Sequence, residues 1–206
     1  MDSIYNIDAV EKLCRDPHRR RLFFNAWYKK ALPSDDCVVI APELEALTTP
    51  SLTLAERHDS NTDGASKLVF TSVLDGAKIE AVILRIGTGR TSLCISSQFG
   101  CGAHCQFCAT GSMGIMRNLT VQEILEQVVI ARRILREEGR DLRNVVFMGM
   151  GEPLHNEKNL YQALEMLRDP RFFCLSENHL MVSTVGMVDA MNRFIEQFPN
   201  IHLALS

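Results

Sequence analysis

Between residues 92 and 205 the chain alternates strand-like and helix-like stretches, and this rhythm restricts the fold more than any other feature. Strand patterns rich in Val, Ile and Leu run over 93–96, 145–148, 180–185 and 201–205, with helical patterns over 121–138, 157–167 and 187–198 between them. Parallel strands need a crossover, usually a helix, so the alternation predicts βα units around a parallel sheet, an α/β fold. The first helix is the best marked. Thr120 and Glu123 have the spacing of a capping box, Val121, Ile124, Leu125, Val128 and Leu135 supply an apolar face, and Gly139 stops it.

Upstream, 7–15 and 19–31 read as two short helices, the second ended at Leu32-Pro33 because proline cannot continue a helix and restricts its predecessor. Residues 48–67 are polar and rich in turn formers, which predicts a loop or linker. Strand patterns over 68–74 and 79–86 flank Asp75-Gly76, a hairpin signal. The division expected is a helical accessory region with its linker over 1–67, then a β-hairpin and βα core over 68–206. No internal repeat or low-complexity tract is visible.

Arg19, Arg20, Arg21, Lys29 and Lys30 interleave with Phe23, Phe24, Trp27 and Tyr28. Two readings fit that pattern: a surface that grips phosphates and stacks bases, or an amphipathic helix whose aromatics are core and whose charges are solvated. The whole chain, with a net charge of −3, has no general pull toward nucleic acid. With 206 residues and 46% hydrophobic content it can bury one good core and a small second domain. No apolar stretch reaches the ~20 residues that span a bilayer. Residues 1–10 lack a secretory pattern, so a cytoplasmic protein without a membrane partner is expected. Seven cysteines fit a reducing compartment better than a disulfide framework, which favours even counts.

Three of those cysteines, Cys101, Cys105 and Cys108, share the run Gly-Cys-Gly-Ala-His-Cys-Gln-Phe-Cys-Ala-Thr-Gly. Structural zinc usually closes its tetrahedron with four protein ligands. A [4Fe-4S] cluster held by three thiolates instead leaves one iron without a protein ligand, free to bind substrate. A zinc site or a set of buried thiols is the plainer alternative. Cys14, Cys37 and Cys174 have no motif around them and read as structural. Gly149-Met150-Gly151-Glu152-Pro153 follows the 145–148 strand, at the carboxyl end of the sheet where α/β proteins place ligands.

Taken together with Thr110, Gly111, Gly114, Arg117-Asn118-Leu119-Thr120 and Met148 to Pro153, the cysteine run resembles the radical S-adenosylmethionine (SAM) enzymes, and among them the RlmN/Cfr adenine methyltransferases. The resemblance implies a partial radical SAM (βα) barrel carrying the small helical N-terminal unit and hairpin. It makes Cys101, Cys105 and Cys108 ligands of a [4Fe-4S] cluster whose open iron is chelated by SAM. Phe107 would lie near SAM's adenine, Gly151 and Glu152 would contact SAM, and Ser183 and Ser206 would serve its polar oxygens. Read from the residues alone, Phe107 is as well a core aromatic, and the two serines are ordinary strand-end residues.

In that family one SAM methylates a C-terminal cysteine, a second supplies a 5'-deoxyadenosyl radical, and the resulting carbon radical adds to adenine. The implied substrate is adenine of 23S rRNA, with C2 favoured over C8 and the choice between them open, tRNA as a further candidate substrate, and a reductant protein such as flavodoxin as electron donor. A monomer is expected. Cys94 matches a cysteine that resolves the covalent enzyme–RNA intermediate, although a strand cysteine is ordinarily a small buried hydrophobe. Glu80 matches a proton acceptor and sits among apolar strand residues that would suit it to base work, although an outward-facing carboxylate fits the same position. The short run 169–173 is reminiscent of the Cfr side.

No cysteine follows Cys174, the family's later SAM-binding asparagine is absent, and Ser206 falls where a Ser-Leu-His motif would begin. The chain is therefore expected to be truncated at its C-terminus and inactive alone. Two other readings stand beside this one: a different radical SAM enzyme, and a non-catalytic truncated paralogue that binds a cluster, RNA or a partner.

Overall fold

The computed structural model describes residues 2–206. Four strands alternate with three helices as the sequence predicts: β4 (Thr91–Cys94), α5 (Val121–Glu137), β7 (Asn144–Phe147), α6 (Glu157–Arg168), β8 (Leu180–Thr184), α7 (Val188–Gln197) and β9 (His202–Leu205). Their order in the sheet is β4-β7-β8-β9, all parallel. The helix α5 begins at the expected capping box, in which Thr120 Oγ1 accepts from the Glu123 N–H at 3.2 Å and the Glu123 carboxylate accepts from the Thr120 N–H at 2.9 Å.

An antiparallel flank continues the sheet on the other side of β4. The strands β2 (Ser66–Ser72) and β3 (Lys78–Arg85) form the expected hairpin, and β3 pairs with β4. The linker expected over 48–67 is corrected: Leu52–Asp59 is β1, the outermost strand, paired with β2. Its side chains after Leu52 are exposed, so no apolar alternation marks it in sequence, and its charges suit an unpaired edge. Buried Glu126 of α5 fixes the strand's start, accepting from Leu52 N at 2.7 Å, Ser51 N at 2.9 Å and Ser51 Oγ at 2.8 Å.

The N-terminal unit is built from α1 (Ile7–Leu13), α2 (Pro17–Phe24) with a π turn over Asn25–Lys29, and α3 (Ser34–Ile40). Phe23, Phe24, Trp27 and Tyr28 are all buried, which removes the base-stacking reading of this segment. Tyr28 packs on Phe172 and Phe173 with ring centroids 5.3 and 5.0 Å apart. Three arginines of α5 grip the carbonyls that end the helical segment: Arg132 donates to Tyr28 O, Arg133 to Leu32 O at 3.0 Å and Arg136 to Lys30 O at 2.9 Å. Burial pulls the Arg132 guanidinium down to about 10, still charged at neutral pH. One apolar core thus runs from Val10 and Tyr28 through Leu125, Val128 and Leu164 to Phe194.

Residues alternate between the two faces of the sheet. Ile79, Ala81, Ile83, Leu93, Val145, Phe147, Leu180 and Val182 point into that core. Glu80, Val82, Cys94, Val146, Met181 and Ser183 therefore share the opposite face. No described helix is long and apolar enough to cross a membrane.

Candidate active site

Because β4, β7, β8 and β9 run parallel, the segments that follow them meet along one edge of the sheet. Brought together there are Ser96 to Gln98, Met148 to Glu152, Val185-Gly186 and Ser206. Gly149 makes this convergence feasible: a Cβ there would lie 2.7 Å from the Ile95 carbonyl, whose oxygen accepts the Gly149 N–H at 3.0 Å. Gly151 has φ +96°, and a Cβ would lie 2.6 Å from Gln98 Cβ. Both positions require glycine for close backbone approach.

Glu152, only 2% exposed, is anchored from three sides. One carboxylate oxygen accepts from Leu154 N at 3.0 Å and the other from Val185 N at 2.9 Å, while its own N–H donates to Gln98 Oε1 at 2.8 Å. An ionised carboxylate has about four lone-pair sites, so each oxygen retains capacity for an ammonium donor. Beside it, Ser183 Oγ and Ser206 Oγ lie 2.9 Å apart across β8 and β9.

The cysteine run forms the loop of a separate two-stranded ribbon, β5 (Gln98–Gly100) with β6 (Ile115–Asn118). At its neck Gly100 has φ +76°, and a Cβ there would fall 1.9 Å from Gly114 O. Within the loop, Cys101 N donates to Gly114 O at 2.9 Å and Cys108 N to Cys105 O at 3.1 Å, before the short helix α4 (Ala109–Ser112). Gly111 lies against Cys105, and a Cβ would meet its backbone N and O at 3.1 Å. His104 Nδ1 lies 3.1 Å from Gly111 O.

Among the described residues no three His, Cys, Asp or Glu side chains are gathered tightly enough to hold a single metal ion. The backbone instead wraps three thiols in a glycine-lined cradle. Burial pushes the Cys101 thiol up, the Ala103 N–H pulls it down, and the charges of Glu152, Cys105 and Cys108 push it up further. Three sulfur donors thus share one loop, within eight consecutive residues. That donor set fits a cationic iron–sulfur group shared by three soft thiolates.

Phe107 is 89% exposed on this loop, so the core reading of it is overturned. Cys94 stands next to Val82 and Val146 on the open sheet face, with Glu80 two positions from Val82 along β3. Burial raises the Cys94 thiol and a hydrogen bond from the Met148 backbone lowers it, the net direction being up. The apolar setting expected for Glu80 is not found: its carboxylate is half exposed and pairs with Lys67 Nζ at 3.1 Å. Cys174, exposed between α6 and β8, lies at the opposite edge of the sheet.

Sequence reasoning missed the buried polar trio Ser96, Ser97 and Gln98, at most 1% exposed. Ser96 Oγ accepts from Met150 N at 2.8 Å and donates to Glu80 O at 2.6 Å. The only local signal is three consecutive polar residues between an apolar strand and the first of the three clustered cysteines in the sequence, Cys101.

A family model described as the radical SAM superfamily matches residues 95–205. A Rhodopirellula baltica protein called "Probable RNA methyltransferase" is 53% identical, over 98% of this chain and 54% of its own length. A "Dual-specificity RNA methyltransferase RlmN" of Myxococcus xanthus is 39% identical, over 92% of this chain and 54% of its own. The "Ribosomal RNA large subunit methyltransferase Cfr" of Lachnoclostridium phytofermentans is 43% identical, over 70% and 41%. The solved structure of a radical SAM methyltransferase from Sphaerobacter thermophilus superimposes with a TM-score of 0.83 at 33% identity, covering all of this chain and 63% of that one. The chain spans about half the length of the curated relatives it matches.

Proposed function

Since this chain belongs to the radical SAM superfamily, with RNA methyltransferases of the RlmN/Cfr group among its relatives, we propose that its carboxyl edge is the cluster and SAM site of an adenine methyltransferase acting on 23S rRNA. The observation that carries the reading is the convergence of the cysteine cradle, anchored Glu152 and the Ser183–Ser206 pair on one edge. A [4Fe-4S] cluster on Cys101, Cys105 and Cys108 would supply the electron that breaks a carbon–sulfur bond of SAM bound to its open iron.

The chain's own residues then have distinct tasks. Glu152 holds an ammonium group, its carboxylate already oriented by Leu154 N and Val185 N. Gly151 lets that ligand approach the backbone. Ser183 and Ser206 offer hydroxyls that donate or accept at SAM's polar oxygens. Phe107, exposed on the loop, is free to lie against an adenine ring. On the open face Cys94 carries a thiol that burial keeps protonated at neutral pH, and Glu80 accepts a proton from there. The target carbon is C2 rather than C8, tRNA is a second substrate, and the electron comes from a cytoplasmic reductant such as a flavodoxin. The methyl-carrying cysteine lies outside these residues, because Cys174 occupies the wrong edge of the sheet.

The test is anaerobic iron–sulfur reconstitution of this chain, reduction in the presence of SAM, and assay for 5'-deoxyadenosine. Production by the chain and its loss in Cys105→Ala, together with loss of the brown absorbance, is expected. Cys105→Ala retaining both would overturn the ligand assignment. A cluster without cleavage would return the chain to the class of non-catalytic binders. Methyl transfer to C2 of an rRNA adenine by these residues alone would refute the placement of the methyl carrier.

A further inference from the structure

A chain of side-chain amides joins the neck of the cysteine loop to the Glu152 turn. Gln98 opens β5, three residues before Cys101, and is completely buried. Its Oε1 accepts the Glu152 N–H at 2.8 Å, and its Nε2 donates to Asn118 Oδ1 at 2.7 Å. Asn118, the cross-strand partner of Gln98 in the ribbon, passes the link on, donating from Nδ2 to His155 O at 3.4 Å. The orientation of the Gln98 amide is fixed by its partners, since only a carbonyl oxygen can accept from a backbone N–H. The same segment holds the turn through its backbone as well: Ser97 N and Gln98 N both donate to Met150 O, at 2.8 and 3.2 Å.

We propose that Gln98 is a positioning residue that sets the Glu152 carboxylate relative to the cysteine loop, so that the two halves of the SAM site move as one body. This rests on the reading of that edge as a cluster and SAM site. Glu152 is fixed toward β8 by its side chain, through Val185 N. Toward the cysteine loop it is fixed by its backbone, and Gln98 is the side chain that makes that bond. Gly151, pressed against Gln98, has left-handed backbone and no side chain to hold the turn itself. Removing the Gln98 amide leaves the buried Glu152 N–H without its partner and unties the turn from exposed Asn118, so the turn is free to slide relative to the loop.

Two variants cut the link at different points. Gln98→Leu removes both bonds from the buried centre. Asn118→Ala cuts it from the exposed side, where folding is least at risk, while Asn118→Asp keeps the acceptor for Gln98 Nε2. The measurements are iron content and absorbance after reconstitution, SAM dissociation constant by equilibrium dialysis, and hydrogen exchange at the Glu152 amide in the protein without cluster. Expected are unchanged iron content, SAM binding weakened about five- to tenfold by Gln98→Leu and Asn118→Ala, the equivalent of one hydrogen bond, faster Glu152 exchange, and recovery in Asn118→Asp. If the unsubstituted chain holds its cluster but does not bind SAM, the site reading fails and this inference with it. If it binds SAM and Asn118→Ala binds equally well with unchanged Glu152 exchange, the positioning role alone is refuted.

Discussion

The neck of the cysteine loop offers a paired perturbation whose two members differ in a single physical term. Gly100 and Gly114 face each other across the ribbon and both have left-handed backbone, φ +76° and +70°. Alanine at either place pays the left-handed penalty of ~1–2 kcal/mol, reduced by ~0.4–1 kcal/mol because it also stiffens the unfolded chain. At Gly114 nothing lies within 4 Å of the added methyl. At Gly100 it would fall 1.9 Å from Gly114 O and 3.0 Å from Gly114 C, a backbone obstacle that no rotamer change relieves. Overpacking of that sort adds at least ~1–3 kcal/mol.

With ~2–4 °C of melting temperature per kcal/mol in a chain of this size, Gly114→Ala should lower the midpoint by roughly 2–4 °C. Gly100→Ala should lower it by roughly 6–12 °C. The assay is thermal unfolding followed by circular dichroism in reducing buffer, with iron content after reconstitution as a second readout. Gly100→Ala should also lose iron, since the displaced backbone is that of Cys101's neighbour and hydrogen-bond partner, whereas Gly114→Ala should keep it. Midpoints falling together within ~2 °C would refute the claim that this close approach shapes the cradle.

Arg117 holds the Asp75 carboxyl down to about 2, from its ordinary 3.8. The stabilisation this pair gives is complete above the ordinary value and is lost as pH falls from 3.8 toward 2, so Asp75→Asn should flatten that part of an acid-denaturation curve. An unchanged acid limb would contradict it. Burial pushes the Cys37 thiol up to about 11 from 9.0, so stability holds below pH 9 and falls as pH rises toward 11. Cys37→Val should remove that alkaline dependence, read from denaturant midpoints across the range. Alkylation of the native chain at pH 8, followed by peptide mass spectrometry, should label exposed Cys174 well before Cys94, whose thiol burial keeps protonated. Labelling in the opposite order would refute the placement of Cys94.

What could be read from the sequence was local. The alternation from β4 to β9 shows because each strand is apolar over successive residues and each helix carries a 3.6-residue stripe. The start of α5 shows because a capping box occupies only four consecutive residues. The strand β1 does not show, because seven of its eight side chains face solvent and the signal for a half-buried strand is alternation. Nor do the aromatics of α2 declare their destination. Phe23, Phe24, Trp27 and Tyr28 look alike whether they meet RNA bases or one another and, for Phe24 and Tyr28, Phe172 and Phe173; the contacts that place them, with α5's arginines among them, come from more than a hundred positions away in the chain.

The candidate site divides along the same line. Its candidate ligand groups lie in short runs whose spacing is chemical, so Cys101, Cys105, Cys108, Gly151 and Glu152 are visible one residue at a time. The groups that hold them in register are joined across 54 positions, Gln98 to Glu152 and Ser96 to Met150, by single hydrogen bonds that leave no periodic trace. Glu80 shows the same limit from the other direction. Its apolar sequence neighbours point into the core, while its own side chain faces outward and meets Lys67 from the adjacent strand. In a strand the flanking residues describe the opposite face, so the setting of a carboxylate must be read from positions two apart and from its cross-strand partners. By that rule Glu80 belongs with Val82 and Cys94, the face that the helices leave uncovered.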